Sequence, residues 1–120
     1  MIGLIVSGHI NFASGMSAVK AIAGEQENMV FIDFVGNPFS RRIGTTTNAS
    51  SNECRMCEQI LFLTDLPGGT PCNRAMAIMM EDKSVEVLAG VNLPMIVNAA
   101  LEREGVDAKN FFLSYTYWHK

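Results

Sequence analysis

Residues 60–83 read ILFLTDLPGGTPCNRAMAIMMEDK. An apolar run, Ile60–Leu63, leads into a turn rich in Gly and Pro. The turn is followed by a segment whose methionines, Met76, Met79 and Met80, fall at helical spacing and read as core filler. An unbroken apolar run is how a strand buried on both faces reads. Thr70 is placed to cap the helix and Pro71 to occupy its first turn. A strand that passes through glycines into a helix is half of a β-α-β unit. It points to an α/β fold with a mainly parallel sheet.

The flanking sequence repeats the pattern. Ile2–Val6, Met29–Phe34 and Val85–Ala89 are three more runs rich in Val, Ile, Leu or Phe. Residues 11–24, NFASGMSAVKAIAG, space Phe12, Met16, Val19 and Ala23 by four and three, with Gly24 as a helix stop. Residues 92–105, NLPMIVNAALEREG, offer Asn92 near a helix start, apolar Met95, Ile96, Ala99 and Ala100, and Gly105 as the stop. One domain over residues 1–120 is expected, with four strands in a central sheet between layers of helices. Residues 36–57, GNPFSRRIGTTTNASSNECRMC, break the alternation. They have no helical period and read as a loop with one turn near Glu53–Glu58. At the end of the chain, Phe111, Leu113, Tyr115 and Tyr117 alternate with Phe112, Ser114, Thr116 and Trp118. That is a strand period, apolar on both faces, which calls for pairing with a sheet edge.

Composition narrows the function. The chain has 120 residues, 48% hydrophobic and 18% charged, with a net charge of −3. A surface poorer in charge than the usual ~25% suggests cover by another subunit or partner. Without a basic block, nucleic acid is a poor ligand. MIGLIVSGH has no basic leader and only a short apolar run, so it reads as a buried strand rather than a signal or a membrane span. Three cysteines do not make a secreted disulfide framework, and a cytoplasmic protein is expected. The sequon at Asn48 then carries no meaning.

In a parallel sheet all strands end at one edge, and ligands gather there. Ser7-Gly8-His9 follows the first run, Asp33 lies at the end of the second, and Thr64-Asp65-Leu66-Pro67-Gly68-Gly69-Thr70 follows the third. If the first and third strands are neighbours, His9 and Asp65 meet. A histidine there can serve as base, metal ligand or nucleophile. An aspartate beside it fixes the tautomer and stabilises a charged ring. Gly68 and Gly69 admit a bound group close to the backbone, and Thr70 stands where helix N–H groups and the dipole favour an anion. Together these read as a phosphohistidine site.

Other readings are weaker. Cys54 and Cys57 form a C-x-x-C, but only Cys72 remains as a third cysteine for zinc. The pair also precedes a strand instead of opening a helix, so no metal site is expected. Asp33 is open between a strand-end cap and a ligand contact, and His119 reads as a solvated tail residue. A non-catalytic module binding a nucleotide or another small anion at the same edge, or a regulatory protein on this fold, is the alternative.

GHINFASGM, AGEQENMVFIDF, LFLTDLPGGTPCNRA and EVLAGVNLPMIVNAALEREG together resemble the IIA component of the mannose family of the bacterial sugar phosphotransferase system (PTS). FASGM, FLTDLPGGTP and LEREG look nearest to its N-acetylgalactosamine-type branch. The resemblance implies a phosphoryl carrier. His9 would receive the group on Nε2 from the phosphocarrier HPr, with Asp65 on the other ring nitrogen and Thr70 at the phosphoryl group. A IIB component would then take the group on for sugar uptake, and no metal or organic cofactor is needed. It also implies a homodimer in which an antiparallel C-terminal edge strand crosses to the partner. The sequence departs from the family where Ile10 replaces a small residue, commonly Gly. Leu66 replaces a hydroxyl residue of some relatives, and Pro67 a larger one. Residues 36–57 lack the composition of the family's second helix, and the chain ends where relatives continue into another helix.

Overall fold

The structure is a computed structural model that describes residues 2–34, 57–105, 107, 108 and 110. Four strands, β1 (Ile2–His9), β2 (Met29–Phe34), β3 (Gln59–Thr64) and β4 (Val85–Leu88), form one parallel sheet in the order β2-β1-β3-β4. The four apolar runs all become strands. β1 extends three residues beyond its run, so that His9 is its last residue.

Alternation along the strands divides the core into two layers. Leu4, Val6, Leu61, Leu63 and Leu88 face one side. They meet Ala13, Val19, Met95, Ile96, Ala99 and Ala100 from helices α1 (Phe12–Met16), α2 (Val19–Ala23) and α4 (Leu93–Glu102). Ile5, Ile32, Phe34, Phe62, Val85 and Val87 face the other side, against Cys72, Ala75, Ile78 and Met79 of α3 (Thr70–Glu81). Central β1 has seven buried residues of eight, consistent with its continuous apolar run. The three-layer α/β architecture is therefore the one the sequence implies.

Three local expectations are corrected. The single helix over 11–24 is two short helices. Between them Ala18, Lys20 and Ala21 donate to carbonyls three residues back, and Ser17 Oγ donates to the Ser14 carbonyl. Two serines and Gly15 are poor helix formers, and their local hydrogen bonds compete with the four-residue ladder. The helix that follows β3 takes its cap at Gly69, one residue earlier than expected, and Thr70 is its first residue. Of its three methionines only Met79 packs on the sheet, while Met76 and Met80 are exposed. Asn92 caps α4 as expected, with Oδ1 accepting from the main-chain N–H of Met95 at 3.1 Å. Of the loop expected at 36–57 only Cys57 is described; the rest of it and the tail strand over 111–118 lie outside the described residues. No helix among the described residues is long and apolar enough to cross a membrane.

Candidate functional site

The chain leaves β1 for β2 on one side and returns for β3 on the other. The sheet's topological switch point thus lies between β1 and β3, where a crevice opens at the C-terminal edge. The register pairs Ser7 with Thr64, so the residues just beyond that pair, His9 and Asp65, share the crevice.

Asp65 holds His9 twice. Its Oδ2 accepts from the main-chain N–H of His9 at 2.9 Å and lies 2.9 Å from the ring Nδ1. Oδ1 accepts from the main-chain N–H of Leu66 at 2.8 Å. Burial alone would raise the Asp65 carboxyl. The hydrogen bonds from His9 and Leu66, with the attraction of the ring in its cationic form, outweigh burial and leave the carboxyl below its ordinary value. An ionised carboxylate only accepts hydrogen bonds, so Nδ1 carries the ring proton and Nε2 of the neutral ring keeps its lone pair.

Gly69 meets the other side of the ring. A methyl group at Gly69 would stand 2.6 Å from Cε1 and 3.3 Å from Nε2 of His9. The imidazole therefore rests against the cap of α3, where the first N–H groups of a helix lack intrahelical acceptors. Gly68 serves differently: its φ of +80° is a conformation that side chains rarely adopt, and the space around it is open. Thr70 is exposed on the first turn of α3, directly after the glycine that touches the ring.

Sequence reasoning missed two supports. Asn73 Nδ2 donates to the Gly68 carbonyl at 3.0 Å and fixes the glycine turn from within α3. An amide four residues beyond the cap was the available signal. Gly8 is needed because a methyl group there would stand 2.4 Å from the Phe12 ring. Asp33 does its work inside the fold, accepting from the main-chain N–H of Ser14 at 2.8 Å and tying α1 to β2. Among the described residues no group of three or more His, Cys, Asp or Glu side chains could hold a metal ion. Cys57 and Cys72 are free thiols, and Cys54 and His119 lie outside the described residues.

A parallel α/β sheet whose switch point presents a carboxylate-held imidazole at a helix start defines a class, the α/β proteins with a candidate site at the C-terminal edge of the sheet. Residues 3–114 match the family model described as the PTS system fructose IIA component. The chain belongs to this family, the mannose-type EIIA components of the phosphotransferase system. It is 30% identical to the fructose-specific EIIA component of Bacillus subtilis (strain 168) over 111 residues, which cover 92% of this chain and 76% of that one. It is 35% identical to the mannose-specific EIIAB component of Escherichia coli (strain K12) over 89 residues. Those residues are 74% of this chain but only 28% of that longer protein. The solved EIIA structure from Streptococcus agalactiae is similar at a TM-score of 0.83 and 32% identity, covering 100% of this chain and 95% of that one.

Proposed function

We propose that the chain is a phosphoryl carrier in sugar uptake, with His9 as the residue that carries the group. The observation that supports this most directly is the 2.9 Å contact from Nδ1 to Asp65, which leaves Nε2 as the free nucleophile beside the start of α3. Nε2 attacks phosphorus in the phosphohistidine of HPr. A new N–P bond forms as the donor's N–P bond breaks, and Nδ1 keeps its proton. The ring becomes cationic, and its charge faces Asp65. The main-chain N–H and the hydroxyl of Thr70, at the start of α3, and the open turn at Gly68 receive the phosphoryl oxygens. A IIB component then takes the group by the same displacement in reverse. In this reading residues 1–120 are one EIIA domain of the N-acetylgalactosamine-type branch. It works in the cytoplasm without a cofactor, as a homodimer joined through its tail.

Incubation with enzyme I, HPr and phosphoenolpyruvate tests the reading. About one acid-labile, base-stable phosphate per chain is expected, lost in His9→Gln and kept in His119→Gln. A chain that takes no phosphate, or a His9→Gln variant that still does, overturns it. In the first case a non-catalytic anion-binding or regulatory module stands in its place.

A further inference from the structure

Ile10 has a φ of 51°, in the left-handed region. A β-branched side chain there crowds the neighbouring backbone, and such a conformation persists only where its surroundings impose it. Here both sides do. The main-chain N–H of Ile10 donates to the Phe34 carbonyl at 2.9 Å, and the preceding N–H, of His9, is held by Asp65. The side chain gains little from the fold in return, because Ile10 is 63% exposed. Glycine would satisfy the same backbone with less strain, so folding does not explain an isoleucine at this position.

Its neighbourhood supplies a reason. Ile10 follows His9 directly, and Leu66, 55% exposed, follows Asp65 directly. The segments that form this rim, Gly8–Phe12 and Leu66–Thr70, contain no Lys, Arg, Asp or Glu. The His9 side chain is itself 44% exposed, so water reaches the ring in the free chain. Transfer without loss to water requires the donor's own surface to close over the rim. A surface that brings a reactive histidine in line with Nε2 covers the side chains next to His9, and the exposed Ile10 and Leu66 offer that surface apolar area to bury.

We propose that Ile10 is a recognition residue, held outward beside His9 by its left-handed backbone to make an apolar contact with the phosphoryl-donor protein. This rests on the carrier reading above. The test measures labelling of the full chain by a phosphohistidine donor protein (phospho-HPr) and, separately, by phosphoramidate, a donor too small to touch the rim. Ile10→Gly should lower the ratio of protein-donor to phosphoramidate labelling about tenfold, through KM for the protein donor. The same variant should raise Tm by about 2–5 °C as the strain is relieved. Ile10→Leu keeps the apolar bulk and should hold the ratio within about twofold of the starting chain. Met80→Ser, at the far end of α3, should leave it unchanged. An unaltered ratio in Ile10→Gly, or a fall in its Tm, overturns the proposal and leaves the carrier reading standing. An Ile10-bearing chain labelled by phosphoramidate but not by the donor protein overturns both.

Discussion

β1 ends in a polar cluster on each side of the core, and the two clusters are built to opposite purposes. At its start, Arg103 reaches in from the end of α4 and is 2% exposed. Its guanidinium donates to the carbonyls of Ile2 and Asn28 at 3.2 Å each, to Gln26 Oε1 at 3.4 Å and to the Glu27 carbonyl. At its end His9 is held by one carboxylate through one ring nitrogen, and the ring stands open to water. The guanidinium's donors are spent on three main-chain oxygens and one side-chain amide oxygen, which joins three segments of chain and leaves little for chemistry. The imidazole is oriented while its reactive atom stays uncommitted. Polar groups in a fold are therefore distinguished less by residue type than by how much of their hydrogen-bonding capacity the fold uses.

Substitutions at the two ends should separate these purposes. The largest effect on folding is expected from Arg103→Met. It keeps an apolar stem but strips the Ile2, Asn28 and Glu27 carbonyls of this donor. A loss of about 1–2 kcal/mol follows from taking this donor from the buried Ile2 carbonyl and the partly buried bonds around it, read as a lower midpoint in urea denaturation. At a temperature where the variant is folded, His9 labelling should proceed at the unaltered rate. A labelling rate that falls along with stability would join the two ends into one unit and break the comparison.

Asp65→Asn acts at the other end. An amide can still accept from the main-chain N–H of His9, so the fold should stand. It can equally donate to the ring, which permits the wrong tautomer, and it cannot balance the cationic ring. Phosphoryl transfer should slow roughly tenfold or more, measured by rapid quench against the unaltered chain. Equal rates would remove Asp65 from the chemistry and reduce it to a strut like Arg103.

The smallest effect is one of pH. The folded Asp65 carboxyl lies below its ordinary value, so its contribution to stability is present above the unfolded aspartate pKa of about 3.9. It is lost as pH falls from there through the folded pKa. Thermal unfolding from pH 6 to pH 3 should show a loss of stability on acidification that is smaller in Asp65→Asn. Identical pH profiles in the two proteins would mean that the carboxylate contributes nothing to folding.

Much of this was legible in the sequence, because local pattern reports burial and local chemistry reports caps. Apolar runs marked all four strands, although only the central β1 and β3 are buried on both faces and β2 is mostly half-buried. Gly24 and Gly105 mark stops, and both have positive φ. Asn92 caps α4 because its side chain needs to reach only the third residue of its own helix. His9 and Asp65 were placed at one sheet edge by the rule that parallel strands end together. What the sequence left open was whether the first and third strands are neighbours, and the order β2-β1-β3-β4 decides that. Strand order is a long-range packing choice that periodicity does not encode. Only in that order does Asp65 reach the main-chain N–H and the ring Nδ1 of His9, and only then does the ring come to rest against Gly69. The burial of Arg103 and the left-handed backbone at Ile10 have the same origin. Each is imposed by chain segments that meet only in the folded sheet, and no local spacing announces which segments those are.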